Sequence, residues 1–125
     1  MNQNKLISLA INFSSFLIDR ANISRIILYG SVANNSFDED SDIDLFVECD
    51  KKEAGKIKNL LELYKKTKEY ENFKLEGVEN DISIKCGKLN EWKDLKRSVI
   101  SNGFVLYGKY SDKPEELKHK ILFIA

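Results

Sequence analysis

The sequence predicts an α/β (α+β) domain, a mixed sheet of four or five strands flanked by helices. Three observations predict it. Amphipathic stretches with apolar residues three and four apart alternate along the chain with short runs rich in Ile, Val, Leu and Phe. Glycine, asparagine and serine mark most boundaries between them. At 125 residues the chain suits one domain with a sizeable core.

The first helix is expected over Asn2 to Arg20, where Leu6, Leu9, Ala10, Phe13, Phe16 and Leu17 recur at helical spacing. Asn22-Ile23-Ser24 breaks it. Arg25 to Tyr29 reads as a buried strand that enters a turn at Gly30-Ser31, with one or two helical turns over Val32 to Asn35. Asp42 to Glu48 reads as a second strand. Alternation puts Ile43, Leu45 and Val47 on one face and Asp42, Asp44 and Phe46 on the other, expected to be the open face.

Lys51 to Tyr70 is predicted as one long helix, with Ile57, Leu60, Leu61 and Tyr64 on a stripe and lysines opposite. Asp81 to Cys86 is the third strand, with Ile82, Ile84 and Cys86 facing away from Asp81, Ser83 and Lys85. Asn90 is expected to cap a helix through Ser101, ended by Asn102-Gly103. Phe104 to Tyr107 is a fourth strand, and Pro114 opens a last turn or helix. The apolar end, Ile121 to Ala125, fits a strand tied into the sheet or a domain cut from a longer protein, the second being slightly favoured.

Lys and Arg together equal Asp and Glu, so the net charge is zero. That argues against a protein built to wrap duplex nucleic acid, which needs a basic excess. Cys49 and Cys86 form no C-x-x-C pair, and reduced thiols of an intracellular protein are expected. No run of about 20 apolar residues offers a membrane span, and no cleavage signature marks a signal peptide. A cytoplasmic location is expected.

Three features carry chemistry. Gly30-Ser31 closes a strand, where glycine permits a sharp turn and close approach of a ligand, and nearby N–H groups can hold phosphate oxygens. Asp42 and Asp44 lie on one face of a strand, about 7 Å apart along it. Such carboxylates among apolar neighbours need positive charge, and oxygen ligands suit Mg²⁺ or Mn²⁺. Asp81 stands on the acid-bearing face of another strand and completes the set if that strand pairs beside Asp42–Glu48. Each has an ordinary reading as well: a common turn, a solvated acidic edge, a turn residue after Glu79-Asn80.

Taken together, Gly30-Ser31, ten intervening residues, Asp42-Ile43-Asp44 and a later Asp81 form a pattern that resembles the nucleotidyltransferase superfamily of DNA polymerase β. The likeness is strongest to its minimal nucleotidyltransferases. It runs through Leu28-Tyr29-Gly30-Ser31-Val32-Ala33 and Ser41-Asp42-Ile43-Asp44-Leu45-Phe46-Val47, and extends to Gly103 to Gly108. The resemblance implies a single nucleotidyltransferase domain over 1–125. It implies that Gly30 and Ser31 hold the β- and γ-phosphates of ATP or another nucleoside triphosphate. Asp42 and Asp44 would ligate two Mg²⁺ (or Mn²⁺) ions, and Asp81 would ligate one and help deprotonate the acceptor hydroxyl. Attack on the α-phosphorus would release pyrophosphate. It further implies a HEPN-domain partner, some relatives adenylylating a tyrosine of such a toxin. Where many minimal members carry Arg after Gly-Ser, this chain has Val32 and Asn34.

Three other readings compete. A calcium loop fits the alternation Asp38, Asp40, Asp42, Asp44, but Ile43 stands where Gly is needed and Cys49 where Glu is needed. A catalytically silent, antitoxin-like binding module would keep the fold without turnover. Transfer to a small molecule such as an aminoglycoside would need a helical domain, expected to lack room here unless the chain has been cut from a longer protein. His119 reads as a solvated surface residue, and Trp92 and Tyr107 as core or partner contacts. The lysine face of 51–68 reads as solvated.

Overall fold

The computed structural model describes residues 3–88, 97 and 103–108. Its elements in chain order are α1 (Gln3–Ile18), β1 (Arg25–Tyr29), α2 (Gly30–Ala33), β2 (Ile43–Glu48), α3 (Lys51–Tyr64), α4 (Lys68–Leu75), β3 (Ile82–Gly87) and β4 (Phe104–Gly108). The described strands form one four-stranded sheet in the order β3-β2-β1-β4. It is mixed, as expected: β1 runs antiparallel to β2 and β4, and β2 runs parallel to β3. A parallel neighbour cannot be reached by a tight turn, and α3 and α4 supply the crossover from β2 to β3.

Each sheet face has its own apolar cluster. On one side Ile26, Leu28, Ile43, Leu45, Val47, Ile82 and Leu106 meet Leu6, Leu9, Phe13 and Leu17 of α1, Ile57, Leu60 and Tyr64 of α3, and Tyr70 of α4. On the other side Ile27, Tyr29, Phe46 and Val105 form a second, smaller cluster. The face expected to be open is therefore partly apolar, and Phe46 is fully buried there. The register between β1 and β4 shifts at Ile26/Ile27, so that Ile26 faces Tyr107 while Ile27 faces Val105. Leu106 is the extra residue of this bulge, and it buries itself in the main core.

Element boundaries differ from expectation in instructive places. The single helix predicted over Lys51 to Tyr70 is two. Lys65 and Lys66 close the first with N–H donations to the carbonyls of Leu61 and Leu63. Thr67 then caps the second, its side chain accepting from the Tyr70 N–H at 3.3 Å. The helical turn predicted at Val32 begins two residues earlier, at Gly30. It ends before Asn35, whose φ of 63° leaves the helical region. Asp42 and Asp81 each fall one position before their strands. The predicted helix over 90–101, the stretch 121–125, Trp92 and His119 lie outside the described residues, position 97 excepted. Tyr107 packs against the main core. Cys49 and Cys86 are both free thiols. Among the described residues no helix is long and apolar enough to cross a membrane.

Candidate active site

The antiparallel register of β1 and β2 sets Tyr29, the last residue of β1, opposite Asp44 near the start of β2. The chain then turns at Gly30, with φ of +77°. This is a conformation that side chains other than hydrogen resist. A Cβ at Gly30 would collide with the Asp44 carboxylate, lying 3.1 Å from its Cγ and meeting Oδ2 closer still. The missing side chain is thus the space the carboxylate occupies. Two of the predicted site features, separated along the chain by the whole 31–43 segment, interlock here.

Ser31 follows, half-buried in the first turn of α2. Its carbonyl accepts from the Ser36 N–H at 2.9 Å, which folds the following loop back on the turn. Gln3 of α1 ties the same turn down by donating from Nε2 to the Val32 carbonyl at 2.8 Å. Val32 is fully buried, so it serves packing; Asn34 is exposed, and its Oδ1 accepts from the Ser36 N–H at 3.1 Å.

The loop before β2 is ordered by its own side chains. Asp38 Oδ1 accepts from the Asp40 N–H at 2.9 Å and from Ser41 Oγ at 3.2 Å, and Ser41 Oγ accepts from the Asp38 N–H at 2.9 Å. Asn80, just before β3, is 3% exposed and donates from Nδ2 to the carbonyls of Ser41 (2.6 Å) and Asp38 (3.2 Å). One residue further, the Ile43 N–H donates to the Asp81 carbonyl at 2.8 Å. Asp42 therefore stands beside Asp81 in the backbone register, an extension of the Ile43–Ile82 pairing.

Asp44 is half-buried, and its carboxyl is raised above the ordinary aspartate range. Burial is the larger cause and the charge of Asp42 the next, while Lys85 opposes both. Lys85 faces Phe46 in the β2–β3 register and shares the face of Asp44 and Ser83. Burial, and then the Asp44 charge, push the Tyr29 hydroxyl up to about 12, so it stays protonated. The Asp44 shift is that of a half-buried carboxylate with a second negative charge beside it.

A divalent cation fits that pair: the donors are all oxygen, the Asp42 charge disfavours ionisation of Asp44, and Gly30 lets the Asp44 carboxylate stand against the turn. Asp81 does not close a three-carboxylate cluster with them; among the described residues no group of three or more His, Cys, Asp or Glu is gathered to hold a metal. The Asp81 charge is felt instead by the Tyr70 hydroxyl of α4, which burial first and Asp81 second raise. A groove of about 930 Å³ lies elsewhere, between Lys5, Phe37, Asp38, Glu39 and the 76–79 turn. With four carboxylates against one lysine, it is unsuited to a polyphosphate.

The sequence missed Asn80 as a member of this neighbourhood. Alternation placed Lys85 on the face of Asp81 and Ser83 but gave it no part in the site. Nothing short of the fold could have found Asn80, whose partners lie 39 and 42 positions away.

With this geometry in view, the comparisons are informative. The family model described as "Polymerase beta, Nucleotidyltransferase" matches residues 12–112. None of the curated proteins matches the chain. Among solved structures, a toxin-antitoxin crystallised with AMP-PNP aligns with a TM-score of 0.52 at 20% identity, over 96% of this chain and 84% of that one. The MntA-HpeT toxin-antitoxin carrying two aspartate-to-glutamate substitutions aligns at 0.50 and 18%, over 96% and 84%. A tyrosine-to-alanine mutant of the same complex aligns at 0.50 and 21%, over 94% and 82%. At such identities the likeness is one of fold.

Proposed function

The chain belongs to the polymerase β nucleotidyltransferase family, and on that footing we propose that it transfers a nucleoside monophosphate, AMP from ATP, to a hydroxyl of a protein partner. The acceptor is a tyrosine of a HEPN-type toxin, and the setting is the cytoplasm. The observation that carries the reading is the interlock of Gly30 with Asp44, which brings the Gly-Ser turn and the paired aspartates into one site.

In this reading Gly30 and Ser31 hold the terminal phosphates at the turn that leaves β1. Asp42 and Asp44 would hold Mg²⁺ or Mn²⁺. The metal, when bound, would supply positive charge to offset the negative charge that develops on the phosphoryl group. Asp81 approaches from the head of β3 and accepts the proton of the acceptor hydroxyl. The new bond forms between that oxygen and the α-phosphorus, the bond to the β-phosphate oxygen breaks, and pyrophosphate leaves. Lys85, on the same face, adds positive charge near the reacting phosphate. Two features of similar structures support this: one holds AMP-PNP, and another is mutated at two aspartates spaced as Asp42 and Asp44 are.

The test is transfer of α-labelled ATP to a HEPN-domain protein, with pyrophosphate release followed in Mg²⁺ and in Mn²⁺. Asp42→Asn is expected to lose on the order of 100-fold or more in rate with the fold unchanged by circular dichroism. Turnover of Asp42→Asn at the wild-type rate would sink the assignment. Binding of the partner with no transfer by the wild type would leave the silent antitoxin-like module.

A further inference from the structure

Asp42 and Asp81 approach each other only through backbone contacts, and one buried side chain governs them. Asn80 spends both amide hydrogens on the carbonyls of Asp38 and Ser41. These bracket the acidic loop that leads into Asp42. The Ile43 N–H, on the other side of Asp42, is held by the Asp81 carbonyl at 2.8 Å. Asp42 is thus fastened on both flanks to consecutive residues at the head of β3.

The orientation of the amide is fixed, since the reverse would set Oδ1 against two carbonyl oxygens. In that orientation Oδ1 is buried and, among the described residues, has no hydrogen-bond partner. An apolar side chain would bury no orphaned oxygen, so the two donations are what an amide contributes here. Asn80 also sits next to Asp81, so whatever fixes Asn80 fixes the backbone of Asp81.

We infer that Asn80 is a positioning residue, a buried amide that fastens Asp42, one carboxylate of the cation pair, at a set distance from Asp81 at the head of β3. The inference rests on the nucleotidyltransferase reading for its functional consequence and on the hydrogen bonds alone for its structural part. Outer groups that orient ligands commonly change metal affinity by about 10–100-fold when removed.

The experiment uses the full chain with Asn80→Ala and Asn80→Ser, the serine keeping a single, shorter donor. Hydrogen exchange at the amides of 38–43, affinity for Mn²⁺ alone by calorimetry, and KM against kcat are measured. Expected in Asn80→Ala are faster exchange at Ile43 and Mn²⁺ binding weakened about tenfold, with Asn80→Ser intermediate. Its effect falls on kcat as well as KM, because proton acceptance by Asp81 is displaced along with the metal. A folded Asn80→Ala with wild-type Mn²⁺ affinity and wild-type exchange overturns the inference. Loss of folding in both variants overturns it too, because Asn80 would then hold the whole domain. If the wild type itself binds no Mn²⁺, the nucleotidyltransferase reading fails, and exchange at Ile43 still decides whether Asn80 fastens the loop.

Discussion

At the scale of single residues, the site is built from contacts that tolerate little change. Gly30→Ala puts a methyl group against the Asp44 carboxylate on a backbone with φ of +77°. A loss of about 1–3 kcal/mol in denaturant unfolding is expected, together with loss of transfer activity. Unchanged stability would mean that the carboxylate has another place to go. Asp44 itself opposes folding when ionised. Its folded form holds the proton more tightly than the unfolded chain does, because burial and Asp42 outweigh Lys85. Stability from this group is therefore full below the ordinary aspartate range and is lost as pH rises through the raised value. In EDTA, Asp44→Asn is expected to melt higher than wild type at pH 7, with the difference shrinking towards pH 3.5. Mn²⁺ should raise the wild-type melting temperature and leave that of the variant unchanged. A variant that melts lower at neutral pH contradicts this. Function here asks for a charge that the fold alone would shed.

At the scale of elements, one aromatic group ties three helices together. Tyr64, at the end of α3, lies 5.0 Å from Phe13 and 5.4 Å from Phe16 of α1, and 5.6 Å from Tyr70 of α4, centroid to centroid. Its hydroxyl donates to Asn12 Oδ1 at 2.6 Å. The break after α3 is what allows this, since it turns α4 so that Tyr70 meets Tyr64 edge-on. Tyr64→Phe keeps the ring and drops the bond, and is expected to cost about 1 kcal/mol in urea unfolding with activity retained. A much larger loss would show that the hydroxyl, not the ring, orders the three helices. At the far end of the β1–β2 pair, Arg25 donates from Nε and Nη2 to Glu48 Oε1 at 3.1 and 2.9 Å. Both side chains are partly exposed, so this pair fixes register more than it stabilises.

At the scale of the whole molecule, β2 is the strand on which both apolar clusters and the site depend. Ile43, Leu45 and Val47 enter the main core, Phe46 enters the second cluster, and Asp44 stands between them on the side of Phe46. A strand buried on both faces cannot shift without moving the carboxylate. Phe46→Ala is expected to cost about 3–5 kcal/mol and to lower transfer activity beyond what instability explains, measured well below the melting temperature. Activity per folded molecule equal to wild type would show that the second cluster does not set the site. Phe46 also explains why the carboxylate face is not simply a polar surface: its near end carries charge and its middle carries a buried ring.

Local chemistry determined much of this protein from the sequence. Periodicity placed the helix of α1 and all four described strands, because the spacing of buried side chains on a helix or a strand is a property of a few consecutive residues. Gly30-Ser31 and Asp42-Ile43-Asp44 were legible for a similar reason: a turn and an alternating strand are local. The break between α3 and α4 was less so, since a lysine-rich helix face reads the same on both sides of Thr67. Tertiary structure alone decided which distant pieces touch: Gly30 against Asp44, Asn80 on the carbonyls of Asp38 and Ser41, and Phe46 in a second cluster. It also held Asp81 to a backbone neighbour of Asp42 without gathering its carboxylate into a set of three. Such contacts arise where strands far apart in the chain pair, and their energy comes from the pairing and the burial it brings, which no short window of sequence contains.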